Sequence, residues 1–217
     1  VAKYIDVSVP LSPDLTVWPG APKVSFQRLL DIEKGDIAND TNISLNVHTG
    51  THVDAPFHFV SSGYSVEKMP LDVLIGKATV ADLTEVETIT VEVLESLALS
   101  SETKRLLLKT RNSQLWQKPE HTFDENFVAL TAEAAQWIAD QGIRLVGVDY
   151  MSVQRFHDGP ETHLNLLKAE VTVIESLNLA DVSAGEYELI CLPMKLAGVE
   201  GAPARVVLRS LSNTESV

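Results

Sequence analysis

The sequence predicts one α/β or α+β domain over residues 1–217, with a mixed sheet or a partly closed β-barrel flanked by helices. Three observations carry that expectation. Eight short runs rich in β-branched residues are spread along the chain, mostly strands at first and then strands mixed with helices. The segments with helical spacing are few and short. No Gly/Ser-rich or Pro-rich linker, internal repeat or low-complexity tract divides the 217 residues, and one hydrophobic core can serve a chain of that length.

In chain order, strands are expected over Tyr4–Val9 and Asn42–Val47. Pro70–Gly76 reads as a short helix, opened by proline and closed by glycine. Ala78–Leu83 is the next strand. Val91–Leu99 alternates apolar and acidic residues behind Thr90, as a capped short helix does. The strand Arg105–Thr110 follows. Thr131–Gln141 has the capping threonine, an early Glu133, a stripe of Ala135, Trp137 and Ile138, and a stop at Gly142. Ile143–Val148 is a strand, and Thr162–Ala169 offers Leu164, Leu166 and Leu167 to a helix face. Val171–Ile174, Glu188–Leu192 and Ala204–Leu208 complete the strands.

A net charge of −13 repels nucleic acid and anionic membranes, so neither is expected as a partner. No run of eighteen apolar residues suggests a membrane span, and Val1–Val7 lacks the basic flank and apolar stretch of a secretory signal. The single cysteine, Cys191, lies in an apolar strand and reads as a packing thiol, which fits a reducing cytoplasm.

Chemistry concentrates in His48-Thr-Gly-Thr-His52-Val-Asp54-Ala-Pro-Phe-His58. Three of the six histidines fall within eleven residues, with an aspartate among them. A lone histidine is usually an ordinary surface or core residue. This grouping instead has the donor types that hold zinc and related cations. On an extended segment His52 and Asp54 point to one face. A helix would also bring His48 to His52, but Gly50 argues for a turn that folds His48 back. Pro56 stiffens the path to His58. No phosphate loop, nucleophile elbow or Cys-x-x-Cys competes with this cluster.

The pattern His-x-Gly-x-His-x-Asp-x-Pro-x-His resembles the signature of the cyclase family of metal-dependent hydrolases, which includes bacterial kynurenine formamidases and isatin hydrolases. Further landmarks agree: Val17-Trp18-Pro19-Gly20, Gly147-Val148-Asp149-Tyr150-Met151-Ser152 and Gly201-Ala-Pro-Ala-Arg205. The resemblance covers essentially the whole chain. It implies a swivelling β/β/α fold and two divalent cations, zinc first, with manganese accepted and one position able to stay empty. It implies that His48, His52 and Asp54 hold one ion and His163 the second, with Asp54 and Glu175 shared. Glu175 follows His163 by twelve residues, the spacing of the family's second site. Spacing alone does not choose His163 over His157 or His121, which read as loop residues.

By the same resemblance, His58 is the general acid/base for an attack by metal-activated water. The competing role for His58 is a further metal ligand. Trp18 is expected to stack against an aryl substrate, with Phe59 and Tyr64 as further pocket walls. The implied substrate is a small-molecule aryl formamide such as N-formyl-kynurenine, and the implied assembly a homodimer. A cyclic amide or lactone is the near alternative, because Tyr150–Phe156 departs from the dedicated formamidase pattern. A non-catalytic metal-binding protein on the same fold is the alternative of another class.

Overall fold

The computed structural model describes residues 2–117 and 122–211. Its strands are β1 (Tyr4–Asp6), β2 (Ser25–Leu30), β3 (Asp40–Ser44), β4 (His52–Asp54), β5 (Ile75–Asp82), β6 (Arg105–Lys109), β7 (Leu145–Val148), β8 (Thr172–Glu175), β9 (Gly185–Pro193) and β10 (Gly201–Ser210). Its α-helices are α1 (Leu71–Leu74), α2 (Val91–Ser96), α3 (Ala132–Asp140) and α4 (Glu161–Lys168).

Seven strands form a closed mixed barrel in the order β10-β4-β8-β7-β6-β5-β9, with β9 returning to β10. The eighth, β1, lies on the edge of β10 beyond β4, pairing Tyr4 with Arg209 while β4 takes Gly201–Pro203. The neighbours β5, β6, β7 and β8 are parallel and the other pairings antiparallel. Parallel neighbours need crossover connections, and α2, α3 and α4 occupy the three crossovers.

Alternation along the strands sorts the core. Val53, Leu107, Leu145, Ile174, Cys191 and Val206, from six strands, pack against one another and fill the barrel. Their neighbours Leu106, Leu108, Val146 and Val173 face outward, against Ala134, Ala135 and Ile138 of α3 and Leu166 of α4. Gly147 admits no side chain, since a Cβ there would lie 2.6 Å from Leu107 Cδ2. Thr131 caps α3 by accepting a hydrogen bond from Ala134 N. Burial pushes the Cys191 thiol up to about 12, so it is an inert packing group.

A separate aromatic cluster packs Phe127, Tyr150 and Met151 with Trp116, Phe123 and Phe156. Beneath them the buried Asp149, just beyond β7, ties two loops together. Its Oδ1 accepts from Thr110 Oγ1 at 2.7 Å; its Oδ2 accepts from Thr110 N (2.7 Å), Ser113 N (3.1 Å) and Ser113 Oγ (2.7 Å). Ser113 Oγ in turn accepts from Leu179 N, and Trp116 Nε1 donates to the carbonyls of Asp149 and Leu177.

Several expectations are adjusted. The barrel is fully closed. The helix expected over Pro70–Gly76 ends at Leu74, because Ile75 and Gly76 already pair with Ile190 and Leu189. The strand expected at Asn42–Val47 is Asp40–Ser44, and residues 45–51 turn away. β2 and β4 were not expected. β2 and β3 form a separate two-stranded hairpin whose residues are all exposed, including Phe26, Leu29, Leu30 and Ile43. His157 is an exposed loop residue 3.5 Å from Glu125, as read from the sequence, whereas His121 lies outside the described residues.

Candidate metal centre

β4 is the short strand at the middle of the site. It lies between β10 and β8, with Val53 opposite Ile174 and both pointing into the barrel. His52 sits directly opposite Glu175, so their side chains share the outer face, and Asp54 projects to that face two residues on. α4 covers this part of the wall and brings His163 down onto it. The site therefore occupies the outer side of the barrel, under the crossover helix.

Three further features place the remaining side chains. Gly50 adopts a left-handed conformation (φ 63°) in the turn before β4, which folds His48 back toward Asp54. Pro56 starts a single 3₁₀ turn, Pro56–His58, directly after β4, and returns His58 over His48 with ring centroids 4.1 Å apart. Gly201 on β10 leaves room for His48, because a Cβ there would lie 2.9 Å from His48 Cε1.

The resulting cluster is tight. His48 Nδ1 and Asp54 Oδ1 are 2.8 Å apart, and His52 Nε2 lies 3.5 Å from Asp54 Oδ1 and 3.3 Å from Glu175 Oε2. His163 Nε2 is 3.3 Å from Glu175 Oε1 and 3.8 Å from Asp54 Oδ2. Donor atoms of His52, Asp54 and Glu175 lie within 4.8 Å of one another, and so do those of His48, Asp54 and His58. Asp54 belongs to both groups.

A cation suits these residues. His48 Nε2, His52 Nε2 and Asp54 Oδ2 are buried without a hydrogen-bond partner. An unsatisfied buried polar atom costs about 1–3 kcal/mol, and three at one point mark a place for a ligand. His52 Nδ1 donates to the Gly50 carbonyl at 2.7 Å, which leaves the Nε2 lone pair facing the carboxylates.

Opposing influences set the charges. Burial disfavours the His48 imidazolium, but the hydrogen bond and field of Asp54, aided by Glu175 and Glu200, outweigh it and raise its pKa to about 9. Burial also works against charge on Asp54, yet His48, His52 and His58 hold that carboxyl well below the usual range. Glu175 is lowered as well: burial and Asp54 push it up, and its histidine neighbours prevail. Burial lowers His58, reinforced by the charges of His48 and His163 and only partly opposed by Asp54, so it is neutral near pH 7 and able to accept a proton.

A cleft of about 320 Å³ opens onto this cluster. Trp18 lines it and packs edge-on against Phe123 and at a tilt against Phe156, both with ring centroids 5.3 Å away. Phe59 also lines it and stacks on His163 at 4.6 Å. Tyr64 does not reach the cleft. A tight turn at residues 60–63 carries it back, its carbonyl accepts from Phe57 N, and its ring packs against the barrel core. Asn46, Ser152, Gln154 and Ser176 line the cleft although the sequence reading assigns none of them a role in the site. The departure of residues 150–156 from the formamidase pattern was the one available signal for two of them.

Imidazoles and carboxylates gathered on a barrel wall beside an aromatic cleft define a metal-dependent hydrolase using a divalent cation. The Cyclase family model matches residues 5–155, and the chain belongs to that family. It is 35% identical over 211 residues to kynurenine formamidase of Bacillus anthracis, covering 97% of this chain and 99% of the relative. A solved structure described as a predicted metal-dependent hydrolase, from Bacillus stearothermophilus, superposes with a TM-score of 0.83 at 35% identity, covering 96% and 98% of the two chains. Isatin hydrolase A of Labrenzia aggregata shares the fold, with a TM-score of 0.82 at 23% identity over 96% of this chain and 93% of that one.

Proposed function

We propose that this hydrolase, acting as a single domain, cleaves an aryl formamide such as N-formyl-kynurenine, releasing formate and an arylamine. The observation that carries the reading is the set of partnerless buried atoms on His48, His52 and Asp54 at the base of an aromatic-walled cleft. His48, His52 and Asp54 would hold one cation and His163 a second, with Asp54 and Glu175 available to both. Zinc suits this donor set best, with manganese accepted. Bound cations supply Lewis acidity that polarises the scissile carbonyl and eases ionisation of water.

The chain's own groups do the rest. His58 is neutral, faces Asp54 and the cleft, and takes the proton of the attacking water. It returns that proton to the nitrogen as the C–N bond breaks. Trp18, braced by Phe123 and Phe156, offers a face for the aryl ring. A cleft of about 320 Å³ is at the small end of ligand sites, which suits a compact aromatic amide. The exposed apolar residues of the β2–β3 hairpin support a homodimer. No helix among the described residues is long and apolar enough to cross a membrane, and the buried lone thiol supports a cytoplasmic setting.

A second reading, hydrolysis of a cyclic amide or lactone, is favoured by one observation: Met151, Ser152 and Gln154 of the divergent segment all line the cleft. Elemental analysis of protein purified without chelator, followed by turnover of N-formyl-kynurenine, isatin and simple lactones, tests both. Turnover of the formamide with bound metal is expected. Tight metal binding with no turnover of any of them would refute the enzyme assignment.

A further inference from the structure

We infer that Gln154 is a positioning residue that fixes which nitrogen of His163 faces the metal site. The inference rests on the reading of His163 as a ligand. His163 Nδ1 lies 3.0 Å from Gln154 Oε1. The other end of the same amide, Nε2, donates to the carbonyl of Asp158 at 3.2 Å. A carbonyl oxygen only accepts, so the amide cannot be turned over without setting two acceptors against each other. Oε1 therefore faces His163 and accepts a hydrogen bond from it. Nδ1 carries that proton, and Nε2, 3.3 Å from Glu175 Oε1, is the nitrogen left to offer a lone pair to a cation.

The backbone around Gln154 is anchored for this task. Its own N–H donates to Ser152 Oγ at 3.1 Å, and Leu130 bridges to it. The preceding N–H, of Val153, donates to Glu175 Oε1 at 2.8 Å. Two consecutive residues thus hold His163 and Glu175 from behind. His52 is served in the same way by the Gly50 carbonyl. One imidazole is oriented by backbone and the other by a side chain, so the second can be altered by a single substitution.

The test compares Gln154→Glu, which can still accept from Nδ1, with Gln154→Leu, which cannot. Three readouts are used: the His163 tautomer by ¹⁵N-resolved NMR of metal-free protein at alkaline pH, zinc affinity by chelator competition, and the urea midpoint as a check on folding. The parent and Gln154→Glu should carry the proton on Nδ1 and bind zinc within a few-fold of each other. Gln154→Leu should lose the tautomer preference, and its affinity for one of two ions should fall about 10–100-fold. A parent His163 protonated on Nε2 overturns the inference, as does a Leu variant with unchanged tautomer and affinity, or equal losses in both variants. If Gln154→Leu does not fold, the parent tautomer and the Glu variant still decide. If the parent binds no zinc, the metal reading fails, while the NMR result still decides the role of Gln154.

Discussion

Replacing Asp149 by alanine should bring the protein close to unfolding although no atom of the cleft is touched. The carboxylate accepts four hydrogen bonds, two from the buried backbone amides of Thr110 and Ser113 and two from their hydroxyls. The hydroxyls can rotate to other acceptors. The amides cannot, and each left without an acceptor costs about 1–3 kcal/mol. The two together give roughly 2–6 kcal/mol, and the small cavity adds to that. Total stabilities of about 5–15 kcal/mol make this a large fraction. Asparagine keeps an oxygen at the Oδ2 position, where three of the four donors converge, and its NH₂ can donate to Thr110 Oγ1. It should cost about 1–3 kcal/mol. Urea unfolding followed by tryptophan fluorescence measures both, and with a slope near 2 kcal/mol/M the asparagine variant shifts the midpoint by roughly 1 M. An alanine variant within about 1 kcal/mol of the parent would refute the reasoning, because the two amides would then have found acceptors the structure does not show.

Three further outcomes follow from the site. His58→Gln should leave metal content unchanged and lower kcat by about 10²–10⁴; loss of metal in that variant would make His58 a ligand instead. Gly201→Ala drives a Cβ against His48 Cε1 and the Val53 carbonyl. It should destabilise by about 1–3 kcal/mol and reduce metal occupancy, read by elemental analysis alongside the urea midpoint. The pKa of His48 rises from 6.5 to about 9 in the metal-free fold, so the native state binds that proton more tightly than the unfolded chain does. Its stabilising contribution is complete below about 6.5 and disappears as pH rises through about 9. Chelated protein should therefore lose stability across that window, and His48→Asn should flatten the slope.

How much of this was legible depends on where each signal resides. α3 and the barrel strands β6 and β7 announce themselves because their pattern is local, a capping threonine or a run of leucine and valine. β4 is three residues long, too short for any periodicity, and its strand character comes from pairing with Glu175 and Gly201, distant in sequence. The β2–β3 hairpin is exposed along its length, so no alternation of burial marks it. Barrel closure by β9 on β10 is likewise non-local. At the site, the spacing of His48, His52, Asp54 and His58 suggested metal affinity unaided. The choice of His163 over His157 came only from resemblance, since what separates them is the descent of α4 onto the barrel wall. Tyr64 looked close to Phe59 in sequence, and one tight turn sends it elsewhere. Gln154 stood out only as part of the divergent segment Tyr150–Phe156, because an amide that orients an imidazole has no distinctive spacing of its own.

The brevity of β4 has a consequence for assembly. A slip of one residue against β8 would carry His52 and Asp54 into the oily barrel and put Val53 outside, since side chains alternate faces along a strand. A cation held by both His52 and Glu175, which stand opposite each other, would favour that alignment over a slipped one. An ion held there would favour the correct strand pairing as well as the chemistry, and chelation during refolding should then slow the final closure of the barrel around this strand.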